Sequence, residues 1–127
     1  MDRVTWQTHK NKEILVGDYS NITSQEEYIK IIKQASIKSL KDIKNKYENP
    51  SHAVLMLIDI RDSIIGTETL SVFKENAKKI KPYVKKVAVL GIHGVRKILL
   101  ESVVWFSGLD AKPFESLEEA KDWLVSD

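Results

Sequence analysis

Two short polar stretches hold most of the residue types that could do chemistry. The first is Asp59-Ile60-Arg61-Asp62-Ser63. The second is Gly91-Ile92-His93-Gly94, followed by Arg96 and Lys97. Ser63, His93 and Asp59 have the side chains of a hydrolase triad, in which a base takes the hydroxyl proton and a carboxylate orients the base. The Gly-x-Ser-x-Gly elbow that exposes such a serine is missing. Asp18, Asp59 and Asp62 are hard oxygen ligands of the kind magnesium takes, but that ion imposes no spacing that a sequence reveals. A phosphate-accepting Asp59 would need an acidic pair after the first parallel strand, and Asp18 stands alone there. The chemistry is present without a catalytic signature, so no enzyme, metal or cofactor is expected.

Binding chemistry is the better reading of the same residues. Asp59, Arg61, Asp62 and Ser63 would form a polar docking surface, with Asp18, Tyr19 and Ser20 beside them. The alternative is local: Asp59 bonds loop N–H groups and Arg61 neutralises Asp18 or Asp62. Gly91 and Gly94 at a strand-to-helix turn would aim N–H groups at an anion, with His93 and Arg96 adding polarity and charge. A tight turn with His93 on the surface is the commoner explanation of such glycines. Farther on, residues 95–106 read as a helix whose apolar arc exceeds what a surface helix needs. Leu100, Val104 and Trp105 are left outside its inward face, as a partner, groove or homodimer contact would require, unless neighbouring helices cover them. The lysines from Lys74 to Lys86 would attract an acidic partner or lipid headgroups, or simply solvate a helix.

These residues must be positioned by a scaffold, and the scaffold is legible. The stretches 53–58 and 87–90 are apolar runs without polar alternation, as in strands of a parallel sheet covered on both faces. Each runs into one of the two polar stretches, and ligands of such sheets sit at the carboxyl ends of the strands. Residues 4–8 and 13–17 flank His9-Lys10-Asn11-Lys12 and read as a β-hairpin. Ser24 with Glu27 opens a long helix to about residue 47, and Ser116 with Glu119 opens the last one. Leu70, Phe73, Ala77 and Ile80 stripe a helix that Pro82 stops. Residues 111–114 form a short edge strand that tolerates Pro113. The order is β-β-α-β-α-β-α-β-α. The expected fold is α/β: a mixed, mostly parallel sheet of four to five strands with an N-terminal β-hairpin and four helices, in one domain over residues 1–127.

Composition narrows the class of function. The chain has 127 residues, no cysteine and a formal net charge of +2. The missing thiols exclude disulfides and thiol catalysis, and suit a reducing compartment. No apolar run nears the ~20 residues of a membrane span, and the N-terminus lacks the apolar core of a secretion signal. Lysine far outnumbers arginine, which argues against a nucleic-acid footprint. A cytoplasmic location is expected.

Several motifs occur in one order: Asp18-Tyr19-Ser20, Leu57-Ile58-Asp59-Ile60, Lys81-Pro82-Tyr83-Val84, Gly91-Ile92-His93-Gly94-Val95-Arg96-Lys97-Ile98, Phe106-Ser107-Gly108 and Glu118-Glu119-Ala120-Lys121-Asp122-Trp123-Leu124. Through them the chain resembles the small stand-alone STAS-like proteins, also described as SEC14-like, which share the β-α superhelix of anti-sigma-factor antagonists. The resemblance implies a non-enzymatic regulatory domain that docks a protein partner. Its SEC14-like side implies an alternative, a module for lipid or another apolar ligand. A hydrolase using Ser63 and His93 is the second alternative. Anti-sigma antagonists are phosphorylated on the serine of an Asp-Ser-Ser-Gly motif. Here the matching stretch is Asp62-Ser63-Ile64-Ile65-Gly66-Thr67-Glu68-Thr69, so the motif is absent and the nearby acceptors are Ser63, Thr67 and Thr69.

Overall fold

Lys10 and Asn11 adopt left-handed backbone, with φ of 49° and 66°. Two such residues make the tight turn that matches the twist of a hairpin. They join β1 (Val4–His9) to β2 (Lys12–Asp18), paired antiparallel from Val4 opposite Gly17 to His9 opposite Lys12. The computed structural model describes residues 3–49, 52–64, 66–91 and 110–126. Along them follow α1 (Gln25–Lys46), β3 (Val54–Asp59), α2 (Thr67–Ile80), β4 (Val84–Leu90), β5 (Ala111–Phe114) and α3 (Leu117–Val125). The strands lie in sequence order, and β2 through β5 are parallel. The helix expected over residues 95–106 lies outside the described residues.

Helix starts follow their caps. Ser24 Oγ accepts the Glu27 amide, and Ser116 Oγ accepts the Glu119 amide, as the Ser-x-x-Glu spacing predicts. At α2 the cap is Gly66, and the Thr69 hydroxyl accepts its N–H and donates to its carbonyl, both at 2.7 Å. Thr69 is fully buried there.

The sheet has two sealed faces. On one, Leu15, Met56, Val87 and Val89 pack with Tyr28, Ile32 and Ile43 of α1 and Ile80 of α2. On the other, Ile14, Val16, Leu55, Leu57, Ala88 and Leu90 pack with Ala120 and Leu124 of α3. Strand β3 feeds both cores, which is why it reads as an unbroken apolar run. Each fully buried large side chain contributes about 1.5–3 kcal/mol, so β3 dominates the driving force.

Strand β4 begins three residues earlier than the sequence suggests, because Lys85 and Lys86 disguise it. Lys86 does not reach into open solvent. Its Nζ donates to the Trp123 and Ser126 carbonyls at 3.0 and 2.9 Å, capping the carboxyl end of α3, while its charge sits 5.0 Å from the Trp123 ring centroid. A long lysine stem lets an inward strand position carry a charge in this way. The hairpin turn is tied to the same helix, with His9 Nε2 and Lys10 Nζ at 2.8 and 2.9 Å from Asp122 Oδ1.

Candidate functional site: the carboxyl-end rim

In-register parallel pairing places Asp18, Asp59, Leu90 and Phe114 side by side at the ends of four neighbouring strands. Two carboxylates thus stand on adjacent strands at the same level. The chain resolves their repulsion by giving each its own donors. Asp18 Oδ1 accepts the Ser20 amide at 3.0 Å and the Ser20 hydroxyl. Asp59 Oδ1 accepts the Arg61 amide at 3.0 Å and Arg61 Nε at 3.0 Å, while Oδ2 accepts Arg61 Nη2 at 2.8 Å. Both are aspartates bonding the amide two residues on, the local turn this side chain favours. The two-pronged guanidinium bond is the strong, geometrically specific form of an ion pair.

Electrostatics follow from these contacts. Burial works to raise the Asp18 carboxyl, but the Ser20 hydroxyl and amide, with Arg3 and Arg61 nearby, outweigh it and hold the group below its ordinary value. The hydrogen bonds to Asp59 push Arg61 up, partial burial opposes this, and the charges of Asp59, Asp18 and Asp62 add to the rise. Burial pushes the Tyr19 phenol up to about 12 despite Arg3. That ring lies within the core, stacked on Tyr28 and edge-on to Phe73.

Beyond the strands, the loops after β2 and β3 continue to zip together. The Tyr19 amide donates to the Asp59 carbonyl, Asn21 to Arg61 and Ile64 to Ile22. Ser63 completes the zipper. Its Oγ donates to the Tyr19 carbonyl and accepts the Ile22 amide at 2.8 Å, with only 1% of the residue exposed. Gly91 closes the floor. Its φ is +99°, and a Cβ there would come within 2.9 Å of the Arg61 backbone, so glycine is required on both counts.

Of the residues singled out from sequence, Asp59, Arg61, Asp62 and Ser63 are brought together at this rim. Asp59 and Ser63 point inward and are buried; the Arg61 side chain is half-exposed and Asp62 is exposed at φ 59°. Arg61 pairs with Asp59, which corrects the expectation that it neutralises Asp18 or Asp62: Asp59 is two residues away and matches the guanidinium fork. A phosphoryl group on Ser63 or Thr69 would have to displace the buried bonds those hydroxyls already make. Thr67 opens α2, and its side chain lies outside the described residues. His93, Arg96, Leu100, Val104 and Trp105 also lie outside them, as does the helix meant to present the last three.

Sequence reasoning missed Ile64, which is 41% exposed next to buried Ser63. An isoleucine in a polar loop was the available signal. Among the described residues no cluster of three or more histidine, cysteine or acidic side chains could hold a metal ion. No helix among them is long and apolar enough to cross a membrane.

No family model matches the sequence, and no curated protein matches it. Among solved structures the chain is similar to the crystal structure of an uncharacterised DUF3478-family protein with a SpoIIAA-like fold, from Shewanella loihica PV-4. The two superpose with a TM-score of 0.69 at 20% sequence identity, over 96% of this chain and 92% of the other. Strand order, the antiparallel hairpin and this likeness together establish an α/β SpoIIAA-like, or STAS-like, fold.

Proposed function

We propose that this chain is a non-enzymatic regulatory domain that docks a partner protein at the carboxyl-end rim. One observation carries the reading: the inward polar groups of the rim are consumed by structural bonds, while Arg61, Asp62 and Ile64 are presented outward from the backbone those bonds fix. The Ser63 hydroxyl donates its hydrogen bond to a main-chain carbonyl, which suits a tie between loops rather than an attacking hydroxyl. Asp59 keeps the Arg61 side chain in one orientation, so a partner carboxylate meets a pre-set guanidinium, and preorganisation is what lets a small patch bind. The SpoIIAA-like fold accords with a regulatory role.

The test is affinity capture from a native lysate with the intact chain and its Asp62→Asn/Ile64→Glu double variant. Both positions are exposed, so the variant should melt like the parent. The reading expects a protein retained by the parent and reduced about tenfold or more by the variant. Equal retention by both proteins, or a stoichiometric lipid found in native mass spectrometry of the purified chain, would overturn it.

A further inference from the structure

A second surface, away from the rim, has the shape and charge of a groove for a helix. On their outer side α1 and α2 enclose an open cleft of about 300 Å³. Helix α1 lines it with Lys33, Ile37 and Leu40, spaced i, i+4 and i+7; α2 lines it with Val72, Glu75 and Lys79, spaced i, i+3 and i+7. Each helix thus offers one continuous face about 10 Å long, two turns of a guest helix. Ile37, Leu40 and Val72 give the cleft its apolar part, with Ser36 and Asn76 also on its lining. Ile37 is 73% exposed, the most solvent-bared of the large hydrophobic side chains among the described residues.

Charge frames that apolar part. Lys30, Lys33, Lys41 and Lys44 stand at i−7, i−4, i+4 and i+7 from Ile37, all exposed on the same stripe of α1. Across the cleft, Lys79 closes the α2 wall, and neither it nor Lys33 is held in an ion pair among the described residues. The acids on this face are Glu26, in the first turn of α1, Glu68, in the first turn of α2 at i−4 from Val72, and Glu75, so lysines outnumber them. A solvated helix has no use for a bare isoleucine at the centre of its lysine stripe, whereas a groove for an amphipathic helix is read through apolar anchors at this spacing.

We propose that the α1–α2 cleft receives an acidic amphipathic helix of a partner protein. One large apolar side chain of the guest fills the space over Ile37, Leu40 and Val72, and its flanking carboxylates meet Lys33 and Lys79. An anionic bilayer would meet the same lysines. A flat surface does not enter a cleft, however, and Glu75 would face its headgroups, so the concavity selects a helix.

The experiment titrates a synthetic peptide into the methyl- and amide-labelled intact chain. The peptide carries leucines at i, i+3, i+4 and i+7 with glutamates beside them. Shifts are expected at Ile37, Leu40 and Val72, with affinity falling as salt rises. Ile37→Glu and Lys33→Glu/Lys79→Glu should each weaken binding about tenfold or more. Both sets of positions are exposed, so folding is preserved and checked by melting. A scrambled peptide of equal composition should bind far more weakly. The proposal is overturned if the scrambled peptide binds as well, if the shifts lie elsewhere, or if no binding is seen. It also fails if phosphatidylserine vesicles bind in an Ile37-dependent way, which would make the occupant a membrane. Sedimentation of the chain alone showing Ile37-dependent self-association would make it a second copy and equally overturn the proposal.

Discussion

The carboxyl-end rim and the α1–α2 face handle polarity in opposite ways. At the rim, Asp18, Asp59 and Ser63 sit where a parallel sheet usually offers its chemistry, yet each is bonded inward to a neighbouring loop. On the helical face, Lys33 and Lys79 stand beside a bare Ile37. The difference teaches that position in a fold does not decide availability. The inventory of donors and acceptors does: a hydroxyl flanked by an orphan carbonyl and an orphan amide becomes structure, while charges with only water to bond remain free to meet a partner. The rim therefore presents a rigid surface, and the helical face an adaptable one.

Substitutions can break or sharpen that contrast. The largest effect should come from Leu57→Asp, which places an unpaired charge at a site 1% exposed in the strand shared by both cores. The expected cost of more than about 4 kcal/mol is a large part of the roughly 5–15 kcal/mol that holds a domain together. The variant should lose cooperative thermal unfolding.

Ser63→Ala comes next. It strands the Ile22 amide and the Tyr19 carbonyl, at about 1–3 kcal/mol for each buried group left unsatisfied, measurable by urea denaturation. Gly91→Ala should cost about 1–3 kcal/mol, through its left-handed φ and the contact with the Arg61 backbone, and should shift the Arg61 amide resonance.

Smaller still is the effect of Ser20→Ala. Because the Asp18 carboxyl is held below its ordinary 3.8, its bonds stabilise the fold at neutral pH, and that contribution is lost as pH falls below 3.8 through the folded-state value. Removing the Ser20 hydroxyl should move the Asp18 titration, followed by carboxyl-carbon NMR, upward and flatten the acid limb of stability. At the other end, Ile37→Glu should change stability by less than about 0.5 kcal/mol, because the side chain it replaces is already in water. Changes to the buried ties of the rim would then alter folding, whereas changes to its exposed Asp62 and Ile64, or to the cleft, would alter binding alone.

Much of the fold was legible because local signals agreed. The apolar run from Val54 to Ile58 required a strand covered on both sides, and Ser24 and Ser116 announced their helices three residues ahead of a glutamate. The start of β4 was hidden by Lys85 and Lys86, since the destination of Lys86 at the end of α3, 37 and 40 residues on, leaves no local trace. At the site, the cluster of Asp59, Arg61, Asp62 and Ser63 was readable, but its bonding was not. Arg61 has three aspartates within reach in sequence or space, and only the backbone turn selects Asp59. Ser63 bonds across 41 and 44 residues, a separation at which sequence carries no pairing signal. The Ile37 cleft was not read from the sequence, because it needs the packing of α1 beside α2 to become a groove.

Ser63 is the tie that fixes the rim, and amide hydrogen exchange at Ile22 tests this directly. In the parent the Ile22 amide should be strongly protected. In Ser63→Ala that protection should drop about tenfold or more, while the Val89 amide in the sheet keeps the protection that global stability allows. An Ile22 amide that exchanges equally fast in both proteins, with stability unchanged, would contradict the account and return Ser63 to the list of groups free to react.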